Sequence, residues 1–494
     1  MPVNVLLTYP SDGLRLFTSM IPIGITSIGT VLEQNGYSVK IIDFNHYSRD
    51  FRRDLLDFRP DIIGIGGTTP TRKGSFLTAR IAKSILPNVP VVYGGVHATF
   101  TPEDTLNHVP QIDFLICGEG ELSFLSLCNK LLRGSSIGFE QISGLCYRND
   151  GRVKCNPSER IDNLGSLPIP NRKLLPFNYR VRMEFLDDDG DFIITSRGCP
   201  AGCNFCAASK MFPGGVRLRN IDQVGTEIEQ ILSNKKISSL KIFDSTFTAD
   251  RNHVLSFCDM IKQYSLQWEC EVRADTVDKD LLFEMKNAGC YYINLGMETS
   301  NQTLLKKIGK GINSVQVLSV LDSCRKIGIK SKVFFTFGHA GQTFDDCLKD
   351  LAFIEENKSR IDFFAVTVGM RIFPGTRLEK NAIKTGFLPS DFSWHKRVKS
   401  FKNLMILEPG DVPVLFQKEL DAHHLFFIIL RLFFKKSLCT PKFLFDMVIA
   451  NTLSFFLFLY KQCKYTSHVI NRNFLITFKI FNGKTAALRR RKNC

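Results

Sequence analysis

The first 140 residues alternate short apolar runs with amphipathic stretches, the pattern of a parallel sheet covered by helices on its faces. Strands are predicted at residues 3–7, 38–42, 61–65, 89–93 and 114–117, and helices at 24–35, 74–86 and 121–132. Several strands run into glycine-rich turns: Gly66-Gly67-Thr68, Gly94-Gly95-Val96-His97 and Gly118-Glu119-Gly120-Glu121. In an open sheet of this kind ligands bind outside the carboxyl ends of the strands, and glycines there admit a close approach to the backbone.

A small hairpin around Asn149-Asp150-Gly151 and the extended text Leu167-Pro168-Ile169-Pro170 then mark a linker. From Asp191 a second alternating series begins, with strands predicted at 192–195, 239–243, 268–273, 291–296, 330–337 and 361–368. Helical patterns intervene at 224–232, 279–288, 315–327 and 344–356. Six such units suit a partial (β/α)6 barrel of the TIM type, whose chemistry sits at the carboxyl ends of its strands. The fold class expected is therefore α/β: a doubly wound, Rossmann-like parallel sheet over 1–140, a linker over 141–184, the barrel over 185–405 and a helical region over 406–494.

Composition adds two facts. The 494 residues are 44% hydrophobic and 23% charged, ordinary for a folded chain. The net charge of +16 is concentrated late: residues 411–494 hold 14 Lys and Arg against four Asp and Glu. That basic, aromatic-rich tail includes 443–460, short for a membrane span and interrupted by Asp446, Asn451 and Ser454. Helices packed on the barrel and peripheral contact with an anionic membrane face both fit it. The basic run Arg489-Arg490-Arg491-Lys492 is too short to argue for nucleic acid, and none is expected. The opening Met1-Pro2-Val3-Asn4 does not read as a secretory signal, so the 15 cysteines are expected as thiols or metal ligands in a reducing cytoplasm.

Three of them carry the chemistry. Cys199, Cys203 and Cys206 stand at spacings of four and three on a glycine-containing loop after a predicted strand. Three thiolates turned toward one centre suit an iron–sulfur cluster with one iron left open. A zinc site would want a fourth Cys or His, and none falls between Ala207 and Thr246.

With Phe205 before the last cysteine, this segment resembles the radical S-adenosylmethionine superfamily. The resemblance implies a [4Fe–4S] cluster on Cys199, Cys203 and Cys206 whose open iron chelates S-adenosylmethionine. An electron supplied from outside, by a donor such as flavodoxin or ferredoxin, then generates a 5′-deoxyadenosyl radical. Further matches follow in the family's order: Asp244 after the second barrel strand, Arg273 after the third, Gly296-Met297-Glu298 after the fourth, and residues 306–311. Phe205, Asp244, Arg273 and Glu298 are the implied S-adenosylmethionine contacts, with Asp244 facing the ammonium and Arg273 the carboxylate. One loop departs from the family: Gly338-His339-Ala340-Gly341-Gln342-Thr343 stands where Gly-x-Pro-Gly-Glu-Thr is usual.

The N-terminal sheet placed before this core resembles the cobalamin-binding class of radical enzymes. Gly66, Gly67, Gly94, Gly95, His97, Gly118, Glu119 and Gly120 are the implied cobalamin contacts. No Asp-x-His-x-x-Gly stretch supplies an axial histidine. The implied function is methylation of an unactivated carbon of a lipid or other small molecule. Radical cyclisation or oxidation without methyl transfer, and a non-catalytic cobalamin or redox sensor, remain as alternatives.

Overall fold

The computed structural model describes residues 3–11, 21–47, 50–179, 181–183, 186, 189–395 and 412–415. All of them belong to one compact unit. Apart from residues 412–415, the expected region 406–494 lies outside the described residues.

The first sheet contains β1 (Asn4–Tyr9), β2 (Ser38–Asp43), β3 (Ile62–Ile65), β4 (Val91–Gly94), β5 (Phe114–Ile116), β6 (Leu145–Asn149) and β7 (Arg152–Cys155). Its order is β2-β1-β3-β4-β5-β6-β7, with β1 to β5 parallel and β6 and β7 antiparallel. β1 shows why it is central: Val5, Leu6 and Leu7 are all buried, with Leu6 in the apolar layer on one face and Val5 and Leu7 in the layer on the other. Helices Ile23–Gln34 and Glu121–Leu132 cover one face, and Phe51–Phe58 and Arg72–Ile85 the other. The order reverses between β1 and β3, the crevice where doubly wound sheets bind ligands. The expected hairpin pairs onto this sheet as its last two strands.

One expectation is corrected here. Cys146 and Cys155, directly opposed on β6 and β7, are joined as a disulfide, although the sequence reading left every cysteine a thiol or a metal ligand. The compartment argument says nothing about which sulfurs a hairpin register brings face to face.

The second sheet contains β8 (Val181–Arg182), β9 (Asp189–Ile193), β12 (Ser239–Ile242), β13 (Gln267–Val272), β14 (Cys290–Glu298), β15 (Lys330–Phe337) and β16 (Phe363–Val368). Between β9 and β12 lies a short antiparallel ribbon of β10 (Ser196–Arg197) and β11 (Arg217–Leu218), and after β16 a second one of β17 (Met370–Arg371) and β18 (Val414–Leu415). The sheet order is β16-β15-β14-β13-β12-β9-β8, six parallel strands with an antiparallel edge, as expected of an open (β/α)6 barrel. Alternation sets its two faces. Leu240 and Ile242, Trp268 and Cys270, Ile293 and Leu295, and Val333 and Phe335 point outward into the helical layer, where all are buried. The residues between them face the interior. Among the described residues no helix is long and apolar enough to cross a membrane.

Candidate functional site

The cysteine loop emerges at the carboxyl end of β9, and the β10–β11 ribbon closes its base. Gly198 opens it at φ +113°, where a Cβ would stand 2.5 Å from the Gly215 carbonyl oxygen, so only glycine fits. The loop is then pinned from two directions. The Asn204 amide donates to the Ile308 carbonyl at 2.8 Å, the Leu378 amide donates to the Asn204 carbonyl at 2.9 Å, and Arg377 donates to the Gly202 carbonyl. Phe205 packs between two apolar clusters, its ring 5.6 Å from that of His339.

The three thiols are partly or fully exposed. Cys199 Sγ lies 3.3 Å from Thr246 Oγ1, and the Ala208 amide donates to Cys206 Sγ at 3.4 Å. Burial raises the Cys203 and Cys206 thiols, while the positive charge of Lys310 opposes that rise for both and Arg273 does so for Cys203. Three sulfurs with cations set against them suit the anionic thiolates of a cluster, with no fourth protein sulfur in the motif to close the last position. The donor set fits.

Around the loop the structure gathers a second group. Glu298 sits at φ +73°, a left-handed conformation uncommon for a non-glycine, at a register shift between β14 and β15. Its Oε1 accepts from Lys310 Nζ at 3.0 Å and its Oε2 from Thr336 Oγ1 at 2.9 Å. Burial would raise this carboxyl, but the Lys310 charge, His339 and the two hydrogen bonds outweigh it and hold it below the ordinary range. Arg273 donates to Asp275 through Nε and Nη2, at 2.9 and 2.8 Å, and to the Lys310 carbonyl at 2.8 Å. Of its nitrogens only Nη1 makes no hydrogen bond among the described residues.

His339 is 1% exposed, and its Nε2 has no hydrogen-bond partner among the described residues. Burial lowers it to about 4, so the ring is neutral. Its loop, lacking the usual glutamate, is held through Gln342: Oε1 accepts from the Gly338 and His339 amides, and Nε2 donates to Asp350 at 2.9 Å.

Asp244 is a correction. Expected to face the ammonium of S-adenosylmethionine, it is 2% exposed, and its carboxylate accepts from the Thr195 amide, Thr195 Oγ1 and Ser196 Oγ at 2.6–2.7 Å. It braces the entry to the cysteine loop.

On the first sheet, the glycine turns gather at the carboxyl ends of β3, β4 and β5. Gly95, at φ +99°, brings the β4 turn so close to the β3 turn that a Cβ would lie 2.5 Å from the Gly67 carbonyl oxygen. Val96 and Leu122, in the first turns of the helices that follow β4 and β5, are 36% and 48% exposed. An apolar, glycine-lined sheet edge of this kind suits a large flat ring such as a corrin.

Two residues expected there are placed otherwise. His97 is fully buried, with Nδ1 3.2 Å from Thr69 Oγ1 and its ring 5.8 Å from that of Trp394. Burial holds it neutral, and Trp394 covers it. Glu119 faces the β10–β11 ribbon: Oε1 accepts from Arg197 Nη1 at 2.5 Å and Oε2 from Arg217 Nη1 at 2.6 Å. Burial opposes its ionisation, but hydrogen bonds from Arg217 and Arg197 hold the carboxyl below its ordinary range. Arg197 also donates to Glu121 Oε1 at 2.5 Å. The Gly118–Glu121 turn thus clamps the strand that enters the cysteine loop. Sequence reasoning missed Lys310, Arg197, Arg217 and Arg377. Lys310 carries a local signal, since it sits within the 306–311 segment that matches the family's order.

The B12 binding domain family matches residues 14–127 and the Radical SAM superfamily residues 193–354. An uncharacterized methyltransferase of Pyrococcus horikoshii is 32% identical over 76% of this chain and 81% of its own. The cytidylyl-2-hydroxyethylphosphonate methyltransferase of Streptomyces wedmorensis is 24% identical over 79% of this chain and 82% of its own. The structure of TsrM from Kitasatospora setae, a radical S-adenosylmethionine methyltransferase with cobalamin and a [4Fe–4S] cluster bound, superposes with a TM-score of 0.69 at 18% identity, covering 90% of each chain. Two domain matches in this order, on a cysteine loop and a glycine-lined sheet edge joined by one arginine clamp, settle the family: the chain belongs to the cobalamin-binding radical S-adenosylmethionine enzymes, whose cofactors are a [4Fe–4S] cluster, S-adenosylmethionine and cobalamin.

Proposed function

We propose that this enzyme transfers a methyl group to an unactivated carbon of a small molecule, lipids included. The observation that carries the reading is the methyltransferase relative that matches four-fifths of its own length to this chain. When bound, the cofactors supply one-electron reduction, a hydrogen-abstracting radical and the methyl group.

The protein's own residues hold and shield. Cys199, Cys203 and Cys206 are the thiolates for the cluster. Glu298, ionised and steadied by Lys310 and Thr336, accepts hydrogen bonds from hydroxyl or ammonium donors of S-adenosylmethionine, and Arg273 Nη1 donates to its carboxylate. Arg197 couples both cofactor regions: one guanidinium joins Glu119 and Glu121 of the first sheet to the residue two before Cys199. That coupling keeps the two regions in a fixed relation, which radical and methyl transfer both need. Gly66, Gly67, Gly94, Gly95, Gly118 and Gly120 remain the backbone positions proposed to meet the corrin.

A low-potential donor such as flavodoxin or ferredoxin supplies electrons, and the oxygen-sensitive cluster suits a reducing cytoplasm. Contact with the inner membrane face through residues 406–494 belongs to the same proposal. Anaerobic incubation with cobalamin, reductant and methyl-labelled S-adenosylmethionine tests it. Labelled product one methyl heavier than its substrate, formed only with cobalamin, is the expected result. An unlabelled, cyclised or oxidised product refutes methyl transfer.

A further inference from the structure

We infer that Glu271, Asn294 and Lys332 form a substrate subsite inside the barrel for a polar group that pairs a hydrogen-bond donor with an acceptor. The inference rests on the methyltransferase reading and narrows its substrate class, away from hydrocarbon lipids.

The three residues lie on adjacent strands in one cross-strand row: Glu271 on β13 is paired with Asn294 on β14, and Asn294 with Lys332 on β15. Each stands between two buried residues of the opposite face, so all three point inward: Cys270 and Val272, Ile293 and Leu295, and Ser331 and Val333 flank them. Asn294 is 3% exposed and its Nδ2 has no hydrogen-bond partner among the described residues. Glu271 makes no hydrogen bond or ion pair among them either, yet the charges around it are otherwise matched. Lys241 is paired with Glu269 at 2.7 Å and Lys310 with Glu298 at 3.0 Å. Lys332 holds its ammonium over the rings of Phe334 and Phe363, at 5.4 and 5.1 Å.

A fully buried amide donor left without a partner is costly, and with a half-buried, unpaired carboxylate beside it on the next strand it points to a ligand site. The chemistry of the ligand follows from theirs. Asn294 Nδ2 donates, so it takes a carboxylate or carbonyl oxygen, and the cation of Lys332 on the next strand favours the anionic form. Glu271 takes an ammonium or another N–H or O–H donor. Its ionisation is sensitive to such a partner: burial raises the carboxyl to about 7, against the pull of Lys241, Lys332 and Lys310 and with the push of Glu269. Asn294 lies four residues before Glu298 on β14, roughly 13 Å at the strand rise, so a substrate held by its polar end reaches the cofactor level with a carbon several bonds away.

The test follows substrate use through two signals, label from methyl-labelled S-adenosylmethionine and deuterium gained by 5′-deoxyadenosine. Cells of the source organism are grown in deuterated medium and extracted into methanol–water and chloroform fractions. Each fraction is given to the reconstituted full-length enzyme and to Asn294→Leu and Glu271→Gln. Cluster absorbance and bound cobalamin certify that the variants are folded. Substrate activity in the methanol–water fraction, reduced by roughly tenfold to a hundredfold in Asn294→Leu, is the expected result. Activity in the chloroform fraction, in neither fraction, or undiminished in both variants overturns the subsite. Deuterium in 5′-deoxyadenosine from the aqueous fraction without methyl label would refute methyl transfer while leaving the subsite standing.

Discussion

Replacing Glu271 with glutamine should stabilise the folded protein, and the gain should depend on pH. The carboxyl titrates at about 7 in the fold against an ordinary value of 4.5, because burial penalises its charged form more than the surrounding lysines favour it. Below 4.5 both folded and unfolded chains carry the proton and the residue costs nothing. Between 4.5 and 7 the folded state holds a proton that the unfolded state has lost, so stability falls as pH rises. Above 7 the penalty is complete, about 3 kcal/mol. Glutamine never ionises, so its advantage over wild type should be about 1 kcal/mol at pH 5 and about 3 kcal/mol at pH 8. For a chain of 494 residues unfolding cooperatively, the pH 8 figure corresponds to a rise in Tm of roughly 3 °C. Anaerobic calorimetry of wild type and variant at pH 5, 6, 7 and 8 measures the difference directly. A difference that is flat across this range, or grows toward acid, would show that Glu271 titrates as an ordinary carboxylate and is partnered in solution.

His339 should act in the opposite sense. Its proton is lost in the fold down to about 4, from an ordinary value of 6.5, so wild type should lose about 2 kcal/mol between pH 7 and pH 5, a loss that His339→Leu removes in the same calorimetry. Cys203→Ala should abolish the visible absorbance of the cluster and 5′-deoxyadenosine formation together; retention of either breaks the ligand assignment. Arg197→Met strips Glu121 of its ion-pair partner, leaving it Ser27 Oγ at 3.1 Å, and Glu119 of one of its two arginines, at a cost of about 3–5 kcal/mol. It should also depress methyl transfer more than S-adenosylmethionine cleavage, measured as labelled product against 5′-deoxyadenosine. Lys310→Met should raise the Kd for S-adenosylmethionine, read by calorimetric titration, while cobalamin content stays at the wild-type level.

What the sequence shows most plainly is whatever is local. The strand predicted at 330–337 and the helices predicted at 121–132 and 344–356 coincide with the observed elements, because each is a long periodic run with turn residues at its ends. Helix Phe51–Phe58 escapes the pattern, since it is only eight residues long and Asp54, an acid, is buried on its inner side against Lys40. The cysteine triad is legible because its geometry is set by eight consecutive positions and the turn that Gly198 permits. Charged residues are legible as present and not as paired. The partners of Asp244, Glu119 and Arg273, which are Thr195 and Ser196, Arg197 and Arg217, and Asp275 respectively, include side chains up to 98 positions away, and this pairing takes Asp244 and Glu119 out of the cofactor contacts that the family reading implies.

The same distinction separates scaffold from site. The long-range pairs that the sequence concealed are closed: Glu119 with Arg197 and Arg217, and Glu269 with Lys241. Closed pairs offset the cost of burying their charges and leave nothing for a ligand. Glu271 and Asn294 are the interior groups in their row that stay unmatched, and the chain would be more stable without the carboxylate. A residue that costs about 3 kcal/mol at neutral to alkaline pH, and that a single substitution could relieve, persists where function requires it. Stability measurements on Glu271→Gln and substrate measurements on the same variant should therefore move in opposite directions. If both improve, the row is merely a flaw in the packing of the barrel.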